Sequence, residues 1–132
     1  MSTSAKWSSY APQLRSVLRI AAALMFILFG TMKLFGFPAG MPHGMHVKLA
    51  SLMGLAGIIE TFGGALLLLG LFTQPVAFIA SGEMAAAYFK AHFPNSIWPT
   101  VNGGTNAALF CFIWLYFSAA GAGSWSLDAR RR

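Results

Sequence analysis

The sequence predicts an all-α integral membrane protein, a four-helix bundle with antiparallel up-down topology and both termini in the cytoplasm. Three observations lead to this prediction: the composition, four long apolar runs, and the placement of Lys and Arg. Of the 132 residues, 57% are hydrophobic and only 9% are Asp, Glu, Lys or Arg, whereas soluble domains carry about 25% charged residues. A chain with so few charged residues cannot form a polar surface toward water. In a bilayer it does not need one.

Four apolar runs predict the transmembrane helices, because about 20 apolar residues are needed to cross the hydrocarbon core. The first span covers about residues 17–37 and the second about 48–72. The third, about 76–93, is shorter, so a re-entrant hairpin would also suit its length. The fourth covers about 105–120. Pro, Gly and Asn residues separate these runs and favour turns between helices.

The flanking segments complete the organisation. Residues 1–16 are predicted to form a cytoplasmic or interfacial arm, residues 17–121 the transmembrane domain and residues 122–132 a basic cytoplasmic tail. Lys and Arg favour the cytoplasmic side of a membrane protein. One predicted side holds Lys6, Arg15, Arg19, Arg130, Arg131 and Arg132. The other holds only Lys33, Lys48 and Lys90, so we expect cytoplasmic termini and a multi-pass location in the cell (inner or plasma) membrane.

The net charge of +6 raises the question of nucleic-acid binding. The basic residues flank apolar runs and form no patch with interleaved aromatic residues, so they fit attraction to an anionic lipid leaflet better than binding to a phosphate backbone. No nucleic-acid partner is predicted. Cys111 is the only cysteine, which excludes an intramolecular disulfide or a dithiol redox pair.

Two of the three acidic residues, Glu60 and Glu83, lie in the middle of predicted spans. A charged side chain at the bilayer centre costs about 2.5–3.5 kcal/mol, so such residues face the interior of a bundle and have partners there. Counting along each helix at about 1.5 Å per residue places Lys33 closer in depth to Glu83 than to Glu60. We therefore expect Lys33 to pair with Glu83.

Helical spacing supports an inward direction for both carboxyl groups. Glu60 shares a stripe with Gly57, Thr61 and Gly64, and small residues allow helices to approach closely in lipid. The predicted buried polar site consists of Lys33, Glu60, Glu83, Thr61 and Asn106. Two interpretations remain open. The carboxyl groups either join helices only, or they form a polar pocket, a proton site or a quinone headgroup site.

A metal site is not predicted. His43 and His46 lie in the segment MPHGMH with two methionines, a set that can bind copper, but two histidines in a Gly/Pro loop are more often polar loop residues. These two histidines are the only weak candidates. No Ser/His/Asp set, nucleotide-binding loop or dithiol is present, so no catalytic residue is predicted and autonomous enzyme activity is not expected.

The sequence resembles the DoxX family of small membrane proteins from Leu18 to Asp128. The resemblance rests on Arg19, Phe26, Gly30 and Lys33 in the first span, on ETFGGALLLLGLFT at residues 60–73, and on GAGSWSLD at residues 121–128. It implies a four-helix bundle and a link to respiratory or redox partners, since the family is named after the membrane part of a terminal quinol oxidase and thiosulfate:quinone oxidoreductase system. Many such sequences have an acidic residue where this chain has Thr105.

The resemblance and the buried charges together predict an accessory membrane subunit or partner of a quinone-linked oxidoreductase or redox-stress system. The expected partners are the lipid bilayer and a membrane or peripheral oxidoreductase subunit. No intrinsic cofactor is predicted, although a quinone is a candidate ligand. Two alternatives remain: a small carrier or binder of an apolar or weakly acidic molecule or of protons, and a structural membrane scaffold.

Overall fold

The computed structural model describes residues 2–41 and 47–131. Helices dominate these residues, and none of them lies in a β-strand, which confirms the all-α class. Seven α-helices follow one another along the described chain, and a short 3-10 helix, Phe93–Asn95, lies between the fourth and the fifth. They are α1 (Thr3–Ser8), α2 (Ala11–Phe35), α3 (Leu52–Leu69), α4 (Thr73–Ala87), α5 (Pro99–Asn102), α6 (Thr105–Ala120) and α7 (Leu127–Arg130).

Two of the long helices contain π-helical turns, in which the hydrogen bonds span five residues instead of four. One occupies Ile59–Gly63 in the middle of α3. The other, Tyr88–His92, continues α4 without a break. The third apolar run is therefore one continuous helix as far as His92 and not a hairpin.

The helix ends differ from the predicted spans where local residues decide them. Helix α2 begins at Ala11, with Pro12 in its first turn, where the missing N–H of proline costs nothing. Part of the predicted arm, residues 1–16, is thus helical, and Thr3–Ser8 forms a short helix of its own. Helix α2 ends at Gly36, whose φ of 68° is the left-handed conformation that terminates helices.

Helices α2 and α3 pack closely because glycines remove side chains from their contact. A Cβ on Gly30 would lie 2.5 Å from the backbone nitrogen of Thr61, and one on Gly64 would lie 2.6 Å from Cγ1 of Ile27. Real side chains do not approach so closely. The glycine-containing stripe of α3 therefore faces α2.

Helices α4 and α6 form the second closely packed pair. The aromatic residues of α6 join this pair to α2: the ring centroids of Phe26 and Trp114 are 5.5 Å apart, and those of Phe26 and Phe110 are 5.4 Å apart. Phe26, Trp114 and Phe117 are completely buried. The apolar core thus lies where these three helices meet.

The outer faces of the long helices are apolar as well. Phe78, Leu109 and Phe112 expose 66%, 56% and 68% of their surfaces, whereas Arg19 and Glu60 are buried. An exposed apolar surface of this extent marks contact with lipid or with another protein. Two helices, Ala11–Phe35 and Leu52–Leu69, are long and apolar enough to cross a membrane, and Thr105–Ala120 is a shorter apolar helix.

Candidate functional site

An ion pair joins α2 to α3. Lys33 Nζ lies 2.7 Å from Glu60 Oε1, and the side chains of Lys33 and Glu60 are 14% and 1% exposed. Glu60 belongs to the π-helical turn Ile59–Gly63, a local irregularity that is frequent at functional sites. The pair is therefore held at a place where the helix departs from regular geometry.

The predicted pairing of Lys33 with Glu83 is wrong. Lys33 contacts Glu60 because α2 packs directly against α3 at this level: a Cβ on Gly57 would lie 3.1 Å from Cβ of Lys33 and 2.9 Å from Cδ2 of Leu34. Depth along the helices, on which the prediction depended, does not reveal which helices are neighbours.

Glu83 approaches the same group from α4. Its carboxyl group is within hydrogen-bonding reach of the Glu60 carboxyl and close enough to Lys33 for electrostatic attraction. Both carboxyl oxygens of Glu83, and Oε2 of Glu60, are shielded from solvent without a hydrogen-bond donor. Buried polar atoms are nearly always hydrogen-bonded. Two carboxyl groups therefore lie beside one ammonium group, and three of their four oxygens have no hydrogen-bond donor.

A groove between α3 and α4 reaches this carboxyl pair, and Glu83 forms part of its wall. Its volume is about 460 Å³. The residues that line it from α3 include Leu52, Leu55, Ala56 and Ile59, and those from α4 include Ile79, Glu83, Ala86, Ala87 and Lys90. Glu83, Ala86, Ala87 and Lys90 share one helical stripe, and this stripe faces the groove. The arrangement can hold an apolar molecule with one polar group against Glu83.

The other predicted site residues have different positions. Thr61 lies against Gly30, and its hydroxyl oxygen is buried without a partner. Asn106 is exposed on α6 and lines a separate apolar depression between α2 and α6, so the structure does not place it beside Glu60. His43 and His46 lie outside the described residues. Within residues 2–41 and 47–131, no group of three His, Cys, Asp or Glu side chains could hold a metal ion.

Comparison with known proteins identifies the family. The model of the DoxX family matches residues 14–93, which include Lys33, Glu60 and Glu83. This chain belongs to the DoxX family. The resemblance noted in the sequence is confirmed, and because DoxX proteins are membrane-associated, the apolar helices are those of a membrane protein.

A relative from Haemophilus influenzae is 45% identical over 122 residues, which cover 90% of this chain and 91% of that protein. That relative is described as an uncharacterized protein. No solved structure matches the chain. The comparisons therefore show the family of this DoxX protein and leave its activity to be inferred from the site.

The buried position of Arg19 was not predicted, since the sequence places this residue among the basic residues on the cytoplasmic side. In this DoxX protein Arg19 is 1% exposed and donates hydrogen bonds to main-chain carbonyl oxygens of α3 and of the segment after α6. Its guanidinium group lies 2.8 Å from Leu67 O and 2.8 Å from Trp125 O, and it also bonds Ala122 O. The signal in the sequence was the position of Arg19 inside an apolar run, because a charged residue there needs partners within the protein.

Asp128, the third acidic residue, caps α4. Its two carboxylate oxygens accept hydrogen bonds of 2.9 Å from the backbone N–H groups of Phe72 and Thr73. Burial alone would raise the pKa of the Asp128 carboxyl, but these hydrogen bonds and nearby Arg131 outweigh it and lower that pKa. The GAGSWSLD segment therefore closes one end of this DoxX protein, where Arg19 and Asp128 attach residues 121–128 to α2, α3 and α4.

Asn102 organises the opposite end. Its side chain donates to Tyr88 Oη at 3.1 Å and accepts from the backbone N–H of Gly104 at 2.8 Å. A Cβ on Gly104 would lie 2.8 Å from atoms of both Tyr88 and His92, so glycine is required there. Thr105, where many DoxX sequences carry an acid, is exposed in the first turn of α6. The Asn-Gly-Gly sequence thus has a structural role in joining α4 to α6.

Proposed function

We propose that this DoxX protein is a multi-pass protein of the inner (plasma) membrane. Helices α2, α3, α4 and α6 form its antiparallel four-helix bundle, and both termini are cytoplasmic. Two facts support this topology. Hydrogen bonds connect the start of α2, the α3–α4 turn and the residues after α6, and the chain carries most of its Lys and Arg near those same segments.

Within the membrane the protein acts as an accessory subunit or partner of a quinone-linked oxidoreductase, and it binds the quinone in the groove between α3 and α4. The observation that carries this proposal is Glu83, the partner of buried Glu60, in the wall of a groove whose other lining residues are apolar except for Lys90 at the rim. A quinone has the complementary chemistry, an apolar tail and ring with polar carbonyl oxygens.

The dimensions of the groove support such a ligand. Its volume of about 460 Å³ falls within the range of about 300–1,000 Å³ that is usual for small-molecule sites. Such sites combine an apolar lining with a few polar groups that fix the orientation of the ligand. Leu55 and Ile79 supply apolar walls here, and Glu83 supplies the polar group.

The ligand is tested by binding of a photoreactive short-chain quinone to the purified protein in lipid nanodiscs. We expect labelled peptides from α3 and α4, and competition by an unlabelled quinone. Ala86→Phe places a large side chain in the groove and should reduce labelling at least about tenfold, the factor that corresponds to about 1.4 kcal/mol. Leu115→Phe, on the exposed face of α6, is the matched control and should label normally. Equal labelling of the two variants would refute the groove as the site.

The partner is tested by purification of a tagged chain in mild detergent from its own host, with oxidoreductase subunits identified by mass spectrometry and quinone reductase activity assayed in the same fractions. Recovery of an oxidoreductase that persists through size-exclusion chromatography is the expected result. Recovery of none, together with unchanged quinone tolerance after deletion, would refute the partner role.

The topology is tested by labelling single cysteines with a membrane-impermeant maleimide in intact spheroplasts of a Cys111→Ala background. Asn95→Cys, on the exposed Phe93–Asn95 turn after α4, should label from outside. Ser8→Cys, in exposed α1, should label only after permeabilisation. The reverse pattern would contradict cytoplasmic termini.

A further inference from the structure

The polar group at the groove has an unbalanced charge. Lys33 from α2 contributes one positive charge, whereas Glu60 from α3 and Glu83 from α4 offer two carboxyl groups. Lys90, in the π-helical turn that continues α4, is exposed at the groove rim, and it forms no ion pair with either Glu60 or Glu83. A net negative charge inside the hydrocarbon region would be costly.

Within residues 2–41 and 47–131, no other helix packed around this group corrects the imbalance. Helix α6 contacts α4, but its titratable side chains lie elsewhere: Cys111 is next to Ser81, and Tyr116 accepts a hydrogen bond from Arg15. The remaining polar side chain nearby, Thr61, is neutral. The described side chains therefore supply no second positive charge to balance the second carboxyl group.

Hydrogen bonding shows the same deficit. Oε2 of Glu60 and both oxygens of Glu83 lack donors, although the two carboxyl groups are within hydrogen-bonding reach of each other. Adjacent carboxylates cannot both be ionised without strong repulsion. A proton on one of them turns an acceptor into a donor, so a single proton removes the excess charge and supplies a hydrogen bond between two of these three oxygens.

We propose that Glu83 holds one exchangeable proton, shared with Glu60 in the free protein, and donates it as a hydrogen bond to a carbonyl oxygen of a neutral ligand in the groove. The ligand part of this inference rests on the proposed function. It assigns the site to neutral carbonyl compounds such as an oxidised quinone, and it disfavours carboxylate ligands, which would face the negative potential of Glu60.

Lys33 allows the Glu83 hydroxyl to exchange Glu60 for the ligand as its hydrogen-bond acceptor. An ammonium group has three N–H donors, and Lys33 uses two of them, toward Glu60 Oε1 at 2.7 Å and Phe29 O at 3.5 Å. One donor remains for Glu60 Oε2 when the Glu83 hydroxyl turns to the ligand. Binding therefore rearranges hydrogen bonds without moving net charge into or out of the bundle.

The test combines infrared difference spectroscopy with binding of a short-chain ubiquinone analogue across a pH series, on the full-length protein in nanodiscs. The wild type should show a protonated carboxyl band that shifts on binding, and affinity should fall about tenfold, equivalent to about 1.4 kcal/mol, as the proton is lost at high pH. Decanoate, an anionic probe, should not compete at neutral pH.

Three variants sharpen the result. Glu83→Gln should bind more weakly, with no pH dependence and no carboxyl band, because an amide N–H donates without titrating. Glu83→Leu should reduce affinity at least about tenfold at every pH. Asp128→Asn, which removes an acid outside the site, is the control and should follow the wild-type profile.

The outcomes separate this inference from the proposed function. Quinone binding that is independent of pH, or a carboxyl band that persists in Glu83→Gln, overturns the assignment of the proton to Glu83 while the quinone site stands. A Glu83 band without quinone binding at any pH overturns the proposed ligand and the donor role, because the shared proton would then serve no groove ligand.

Discussion

Lys33 Nζ and Glu60 Oε1 lie 2.7 Å apart across the contact between α2 and α3. Gly57, one turn before Glu60, lets Lys33 and Leu34 approach α3, so the ion pair depends on the same close packing that excludes solvent from it. The interaction therefore belongs to the architecture of the two helices as well as to the site that Glu83 completes.

Breaking this ion pair should destabilise the protein more than removing it altogether. Glu60→Gln removes the carboxylate that Lys33 contacts directly and leaves only Glu83, which forms no ion pair with Lys33, so we expect a loss of about 3 kcal/mol in unfolding free energy. The double substitution Lys33→Met/Glu60→Met should recover much of it, because replacing both partners by apolar residues can be neutral. Reversible denaturant unfolding in mixed micelles measures both values. A double variant as unstable as the single one would show that the charge imbalance is not the cause.

Adding one methyl group to α2 should separate α2 from α3. Gly30→Ala places a Cβ 2.5 Å from Thr61 N, and overpacking of this kind costs about 1–3 kcal/mol. Gly82→Ala is the matched control in α4, since its Cβ would meet nothing within 4 Å, and alanine favours a helix by up to about 1 kcal/mol. The two Tm values should move in opposite directions. A higher Tm for Gly30→Ala would refute the close contact.

Replacing Arg19 by lysine should release the segment after α6, although the charge is kept. Lysine cannot reproduce the fork of donors that reaches Leu67 O and Trp125 O, and we expect a loss of about 3 kcal/mol. Limited proteolysis of the segment 121–131 should accelerate. Arg15→Lys, which changes a less buried arginine, should alter the digestion rate little, and equal rates for both variants would argue against the special role of Arg19.

Asp128 should make stability depend on pH in the acid range. Because the pKa of Asp128 is lower in the folded protein than in the unfolded chain, its contribution is present above the unfolded pKa of about 3.9 and is lost as pH falls through the folded value. Asp128→Asn should lower stability by about 1 kcal/mol at pH 6, because the amide has one acceptor oxygen where the carboxylate has two and so loses one of the hydrogen bonds from Phe72 and Thr73. The difference between wild type and variant, followed by Tm from pH 6 to pH 2, should shrink toward the acid end; a constant difference would contradict the capping role.

The sequence alone predicts the helices and the inward stripe of α3 well. Periodicity determines which residues share a face, so Gly57, Glu60 and Gly64 could be placed together and they do face α2. The apolar runs likewise define α6 at 105–120 as the structure has it. These properties depend on residues that are close together along the chain, so they can be derived from the sequence.

Contacts between helices could not be predicted in the same way. The choice of Glu60 over Glu83 as the partner of Lys33 depends on which helices are adjacent, and the π-helical turn that contains Glu60 has no clear sequence signal. Arg19 and Asp128 were missed because their acceptors and donors are main-chain groups of distant segments. A main-chain group carries no net charge, so the sequence contains no residue of opposite charge that would reveal such a partner.

The bonds of Arg19 also have a temporal consequence. Its acceptors Leu67, Ala122 and Trp125 follow it in the chain by 48, 103 and 106 residues. Synthesis proceeds from the N-terminus, so the guanidinium group enters with α2 long before these carbonyl groups exist, and water or lipid phosphates must solvate it during that interval. The native neighbourhood of Arg19 is thus completed only when Trp125 has left the ribosome, so this arginine acquires its final partners after α3 and α6 have been synthesised and not when α2 is inserted.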